Sequence, residues 1–208
     1  SDKLNGSEIQ VLDFGSRNVN GTYKNLFSDE RYNYTGVDIE PGDNVDIVID
    51  DSYNWSILNS SAFDVIISGQ ALEHTEFFWL IFEEFKRLLK PGGLLCCIAP
   101  SSGYEHRHPV DCWRFFPDGF RALCKYVDLQ VIDTYVLKET FHDDGSKTVR
   151  VWTMRVFVWS DDGRPLLPAL QKEIQLRPRR LSPKNYMWKR VYNRFMKCID
   201  ISKKINKL

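Results

Sequence analysis

Phe63-Asp64-Val65-Ile66-Ile67-Ser68, then Leu72-Glu73-His74, then Arg87-Leu88-Leu89-Lys90-Pro91-Gly92-Gly93-Leu94 is the stretch that decides how this 208-residue chain folds. Its first part is β-branched and apolar at its centre, as a strand buried on both faces of a parallel sheet should be. From Phe77 to Leu89, the apolar residues Phe78, Ile81, Phe82, Phe85, Leu88 and Leu89 recur at helical spacing and stop at Pro91-Gly92-Gly93. Leu94 to Ala99 is apolar again and reads as a second buried strand. A strand, a helix and a strand in that order predict two parallel neighbours.

The same rhythm extends in both directions. Ile9 to Phe14, Tyr34 to Asp38 and Val45 to Ile49 read as earlier strands, and Val131 to Val136 and Val151 to Trp159 as later ones. Pro117-Asp118 opens a second helix through Phe120, Leu123 and Cys124. The expected fold is α/β: a Rossmann-like, doubly wound, mostly parallel sheet of seven strands. Asp143-Asp144-Gly145 is a turn signal, so the last two strands are expected to form a hairpin with one antiparallel strand. Residues 1–163 are expected to form this domain, and residues 164–208 a basic, partly helical extension. In that extension Trp188, Val191, Tyr192, Phe195, Ile199 and Ile205 recur at helical steps among Lys and Arg.

Composition narrows the class. The apolar share of 43% and charged share of 27% are those of an ordinary globular protein. The longest apolar run, Leu94 to Ala99, is far below the roughly 18 residues needed to cross a bilayer. The N-terminus is polar, so no signal peptide is expected. Ser1 stands where Met would begin a chain, as expected of a trimmed protein or a domain of a longer one. The five cysteines form no CxxC pair, which suits a reducing, cytoplasmic setting. Zero net charge hides an asymmetry: 15 Lys+Arg against 26 Asp+Glu in residues 1–163, and 13 against 2 in residues 164–208. A basic tail with aromatic residues fits an anionic membrane surface at its inner face, and equally a protein partner or the acidic body. An acidic body without a recognised nucleic-acid motif argues against nucleic acid.

Ligands of doubly wound sheets bind beyond the carboxyl ends of the strands, where strand order reverses. After the first strand stands Asp13-Phe14-Gly15-Ser16-Arg17-Asn18-Val19-Asn20-Gly21. Gly15 lets a ligand approach the backbone, although alone the segment is equally a tight strand-to-helix turn. Asp38 follows Gly15 by 23 residues, a spacing that suits hydrogen bonds to ribose hydroxyls. Asp50 and Asp51 follow the third strand and suit an exocyclic amine such as that of adenine, or are simply solvated. Ser68-Gly69 are small residues that admit a ligand, and His74 is a candidate general base or a structural histidine.

Taken in order, these sites resemble those of the class I S-adenosylmethionine-dependent methyltransferases, over about residues 8–160. The resemblance implies that Asp13, Gly15 and Ser16 line the methionine end of S-adenosylmethionine. Asp38 with Ile39 would hold the ribose, Asp50 or Asp51 the adenine, and Ser68-Gly69 would border the sulfonium. One departure stands out: Arg17 and Val19 occupy positions where that family commonly has further glycines. This motivates an alternative, a non-catalytic module that binds glycan within an assembly complex.

Tyr104-Glu105-His106-Arg107-His108-Pro109-Val110-Asp111-Cys112-Trp113-Arg114-Phe115-Phe116-Pro117-Asp118-Gly119-Phe120 resembles a subgroup associated with bacterial surface-glycan assembly. In that fold the segment faces the acceptor. The implied activity is O-methylation of a saccharide of an O-antigen or lipopolysaccharide-type glycan, as a lipid-linked or growing chain; a small natural product is the alternative acceptor. Tyr104 and Trp113 offer flat faces to a sugar, and His108 and Arg114 directional hydrogen bonds. His106, His74 and Asp111 are the candidate catalytic groups, with a histidine taking the hydroxyl proton. His106, His108 and Asp111 match no recognised metal motif, and no metal ligand is assigned.

Overall fold

The structure, a computed structural model, describes residues 8–19, 21–143 and 146–158. The Asp144-Gly145 turn, Trp159 and the whole 164–208 extension, with its expected helix, lie outside the described residues.

Five parallel strands form the body of the sheet: β1 (Ile9–Phe14), β2 (Tyr32–Asp38), β3 (Ile47–Val48), β4 (Phe63–Gly69) and β5 (Leu89–Pro100). Beyond β5, β7 (Ser146–Val158) pairs antiparallel with it, and β6 (Gln130–Asp143) pairs antiparallel with β7. The order is β3-β2-β1-β4-β5-β7-β6. The chain leaves β1 in one direction to make β2 and β3 and returns on the other side as β4. The switch point therefore lies between β1 and β4, with Phe14 opposite Val37 on one side and Ser68 on the other.

Two helices cover one face, α1 (Phe78–Leu88) and α2 (Pro117–Tyr126). Leu12, Phe14, Ile66, Leu95 and Cys97 of the sheet meet Ile81, Phe82 and Phe85 of α1 and Phe120 and Cys124 of α2 in one buried cluster. Phe14 stacks against Trp55 at 4.7 Å between centroids, and both pack on Phe85 at 5.7 Å. The deciding stretch holds this frame by its polar residues too. Asp64 accepts the Gln10 N–H at 2.9 Å and the Lys90 ammonium at 2.7 Å. Arg87 donates from α1 to the carbonyls of Trp55 and Leu58, both at 2.9 Å, pinning the irregular segment before β4.

Three elements differ from the sequence reading. Among the described residues no α-helix follows β1; Ser16–Val19 and Gly21–Tyr23 are loop, followed by a single 3₁₀ turn, Lys24–Phe27. Asn and Gly in that loop prefer turns, and the Asn18 side chain accepts the Gly21 N–H at 3.0 Å. Strand β3 is only two residues long, because Asn44 takes a left-handed φ of 69° and the Asp46 carboxylate occupies the Gly36 N–H at 2.7 Å. Strand β5 begins at Leu89, before the Pro-Gly-Gly, since Leu89 already pairs with Phe63. Among the described residues no helix is long and apolar enough to cross a membrane.

Phe85→Ala removes a ring that is fully buried among Phe14, Trp55 and Phe82. The expected loss is about 3–5 kcal/mol, read as a lower denaturant midpoint at unchanged slope; a loss under about 1 kcal/mol would contradict this packing.

Candidate active site

The carboxyl edges of β1, β2 and β4 come together as their register requires. Gly15, at a φ of 73°, turns the chain off β1. The N–H groups of Gly15 and Ser16 both donate to Val37 O, at 2.9 and 3.2 Å, fastening the turn to the end of β2. Asp38 accepts the Arg17 N–H at 3.0 Å and the Glu40 N–H at 3.2 Å. Asp38 thus lies beside the Gly15 loop, 21 residues away from Arg17 in sequence. Ser16 Oγ donates to Asn44 O at 2.9 Å, and the Asn44 amide returns a bond to Ser16 O at 2.9 Å. The Arg17 side chain runs outward over Gly42 and pairs with Glu40, and Val19 is exposed.

Asp13 is buried at this edge and receives the Tyr34 hydroxyl on one oxygen, while its other oxygen has no hydrogen-bond partner. Burial raises its pKa to about 7, against the Tyr34 hydrogen bond, which lowers it, and with a small push from the Asp38 charge. Ser68 Oγ, at the end of β4, is likewise buried without a partner. Tyr23 lies on Gly69 so closely that any Cβ there would overlap its ring. Ile39, Asp50 and Asp51 are exposed, and Asp51 caps its own loop by accepting the Tyr53 N–H at 2.8 Å.

A second cluster forms where the 3₁₀ turn Leu72–His74 meets the loop after β5. Glu73 O accepts the N–H groups of Cys112 and Trp113, at 2.7 and 3.3 Å. This brings His106 against His74, with ring centroids 4.9 Å apart, and His108 within 5.5 Å of His74. The Glu73 carboxylate is completely buried, and no neighbouring residue donates to it. Burial pushes its pKa up to about 8, opposed by its own backbone N–H and by the Arg114 charge. His74 Nε2 lies 3.8 Å and His106 Nε2 4.0 Å from Glu73 Oε1. Burial and the neighbouring histidines lower the pKa of His74, although its Val110 contact opposes this.

Asp111 does not stand free beside His106. Arg114 grips it with a bidentate fork, 2.7 Å to Oδ2, and holds its carboxyl well below the usual carboxylate range. Asp111 also accepts the His106 N–H at 2.7 Å. Arg114 reaches Tyr104 O as well, at 2.9 Å, so Asp111 and Arg114 together shape the loop. Tyr104 is 93% exposed, and Trp113 is exposed, packed on Phe78 and bonded to Glu76 O at 3.1 Å. Sequence reading missed two residues of these sites. Glu73 was visible only as part of a motif, and Tyr23 carried no signal because its place depends on the missing helix after β1.

The family described as "Methyltransferase domain" matches residues 1–137. No curated protein sequence matches the chain. Among solved structures, a SAM-dependent methyltransferase from Methanosarcina mazei is 13% identical over 74% of this chain and 93% of that one, with a TM-score of 0.55. One from Archaeoglobus fulgidus is also 13% identical, covering 74% and 87%, with a TM-score of 0.55. Haemonchus contortus phosphoethanolamine N-methyltransferase 2, in complex with S-adenosyl-L-methionine, is 14% identical, covering 74% of this chain and 49% of that one, at 0.54. At these identities the likeness is one of fold.

Asp13 gives a pH dependence with a definite sign. Its carboxyl holds its proton to about pH 7 when folded, against an ordinary 3.8. Between those values the folded chain binds more protons than the unfolded one, so stability falls as pH rises through the interval. Glu73 adds the same sign up to about pH 8. Asp13→Asn is expected to flatten the decline in Tm between pH 4 and 7; an unchanged slope would mean that Asp13 ionises normally.

Proposed function

The chain belongs to the methyltransferase-domain family and is a methyl-transferring enzyme that uses S-adenosylmethionine, and from that premise we propose that it O-methylates a saccharide of a bacterial cell-surface glycan. The residues present suit the cofactor. The unpartnered oxygen of buried Asp13 suits an ammonium donor at the methionine end. Asp38 keeps free lone pairs for ribose hydroxyls after accepting two backbone N–H groups. The Tyr23 ring beside Gly69 suits a cationic sulfur. On this reading Ser16 and Ile39 border the same molecule, and Asp50 and Asp51 stand near the adenine end.

The sulfonium supplies a methyl group already activated for displacement, so the protein's part is alignment and handling of the acceptor's proton. The observation that carries the acceptor reading is the loop after β5. It sets outward-facing Tyr104 and Trp113 beside the half-exposed His106. Flat aromatic faces next to a hydroxyl-proton acceptor suit a sugar. His106 takes that proton in this reading, with His74 and His108 against it, while Asp111 and Arg114 position the loop. The same reading takes β7 as the single antiparallel strand of a seven-stranded sheet, and residues 164–208 as a basic extension that reaches a membrane surface or a protein partner.

The test is mass spectrometry of candidate glycans after incubation with labelled S-adenosylmethionine. Transfer of label to a saccharide hydroxyl is expected. Label reaching only non-sugar acceptors would sink the saccharide reading. His106→Ala is expected to cut turnover on the order of 10²-fold or more with cofactor affinity unchanged, and full activity would remove it as the base. Asp38→Ala is expected to weaken cofactor binding by about 1–3 kcal/mol in a calorimetric titration; unaltered affinity would contradict the ribose assignment.

A further inference from the structure

Three acceptor atoms converge in the cluster beside the acceptor loop, and their tautomers are set from outside. His74 Nδ1 lies 2.6 Å from Val110 O, so Nδ1 carries the proton and Nε2 is left with a lone pair. His106 Nδ1 lies 3.2 Å from Tyr104 O and 3.4 Å from Asp111 Oδ2, which likewise assigns its proton outward. Both free Nε2 atoms face Glu73 Oε1, at 3.8 and 4.0 Å. One ligand atom from each of Glu73, His74 and His106 lies within 4.8 Å of the other two. The carboxylate is fully buried and takes no hydrogen bond from any neighbour. Three lone pairs aimed at one another repel unless something positive sits among them.

We propose that Glu73, His74 and His106 form a binding site for one divalent transition-metal cation. The distances support it. Ligand atoms at about 2.0–2.2 Å from a shared ion stand roughly 3–4.2 Å apart. The two contacts to Glu73 fall in that range, and the widest pair closes it with a shift of about half an ångström. The donor set, two neutral imidazoles and one carboxylate, selects first-row transition ions over Mg²⁺ or Ca²⁺. Each imidazole already donates its other N–H to a carbonyl or carboxylate, the arrangement that orients metal-binding histidines. Cation uptake stands on this geometry alone. That the ion would meet adjacent oxygens of a sugar rests on the saccharide reading above; with the ion bound His106 Nε2 would be a ligand and not the base, and the cation would ease loss of the hydroxyl proton in its place.

The test titrates the full, tag-free chain with Zn²⁺ by calorimetry and with Co²⁺ by visible absorption. One cation per chain is expected, with Co²⁺ bands typical of nitrogen and oxygen ligands. Glu73→Gln and His106→Ala are each expected to weaken uptake more than the roughly 10–100-fold that loss of a supporting hydrogen bond costs. Glu73→Gln keeps the side chain's shape and removes a buried charge, so its Tm should not fall, which separates lost uptake from lost folding. Cys112 is exposed and its backbone is bonded to Glu73, making its thiol the rival donor; Cys112→Ser should bind normally. Absence of uptake at millimolar metal, or uptake by Glu73→Gln and His106→Ala equal to that of the unaltered chain, would overturn the proposal; a proton on Glu73 would then fill the cluster. Cofactor affinity measured on the same samples keeps this result separate from the methyltransferase assignment.

Discussion

Parallel pairing on both sides of β1 is the constraint from which the rest follows. Phe14 is fixed opposite Val37 and Ser68 at once. With the register set, Asp13, Asp38 and Ser68 have no freedom to lie anywhere but at one edge. The register is itself held by the core, because slipping β1 by one residue would turn buried Leu12 and Phe14 off the face that meets α1 and put Val11 and the carboxyl of Asp13 there instead. The position of this edge is therefore a consequence of hydrophobic packing some distance beneath it. Glycines answer to the same geometry: a Cβ at Gly36 would collide with the Asn44 carbonyl that closes the loop over β2.

What could be read from sequence tracks how local the cause was. The Phe-Asp-Val and Lys-Pro-Gly-Gly segments are legible because each residue's role is set by its near neighbours or by strand order. Asp64 and Lys90 meet because β4 and β5 are adjacent. Asp38 was placed by its spacing from Gly15, and the Arg17 amide meets it. The 3₁₀ turn in place of a helix after β1 was not legible. The turn preferences of Asn18 and Gly21 compete with the expectation that a strand-to-helix turn follows a parallel strand. Tyr23 went with it, since only an extended loop brings that ring back over Gly69. Glu73 was hidden for a different reason. Its side chain becomes chemically unusual only once the loop after β5 folds down and removes its water.

That loop is fastened at both ends by backbone bonds, Phe115 N–H to Pro100 O at 2.7 Å and Cys112 N–H to Glu73 O at 2.7 Å. Its interior is braced by the Arg114 fork on Asp111. The histidines are thus held by a rigid support, and the aromatic side chains around them remain outward. The solved structures that share this fold include a phosphoethanolamine N-methyltransferase and a carbon methyltransferase, so the sheet does not choose the acceptor. On a frame shared by unlike activities, specificity is generally carried by loops and not by the sheet.

Arg17 and Val19 bear on whether such a frame still binds its cofactor. Further glycines in a turn of this kind serve to let the ligand touch the backbone, and side chains there would normally stand in its way. Here neither does. Arg17 contributes its amide to Asp38 and carries its guanidinium outward over Gly42 to Glu40. Val19 is 61% exposed and faces solvent. Gly15, where a side chain would strike Ala71, is a glycine at a φ of 73°. The departure from a glycine-rich turn thus falls at positions whose side chains leave the edge, and the loss of glycine there removes flexibility without adding bulk. A turn already tied to β2 by Gly15, Ser16 and Arg17 has less freedom to lose when a ligand orders it, which favours binding through preorganisation.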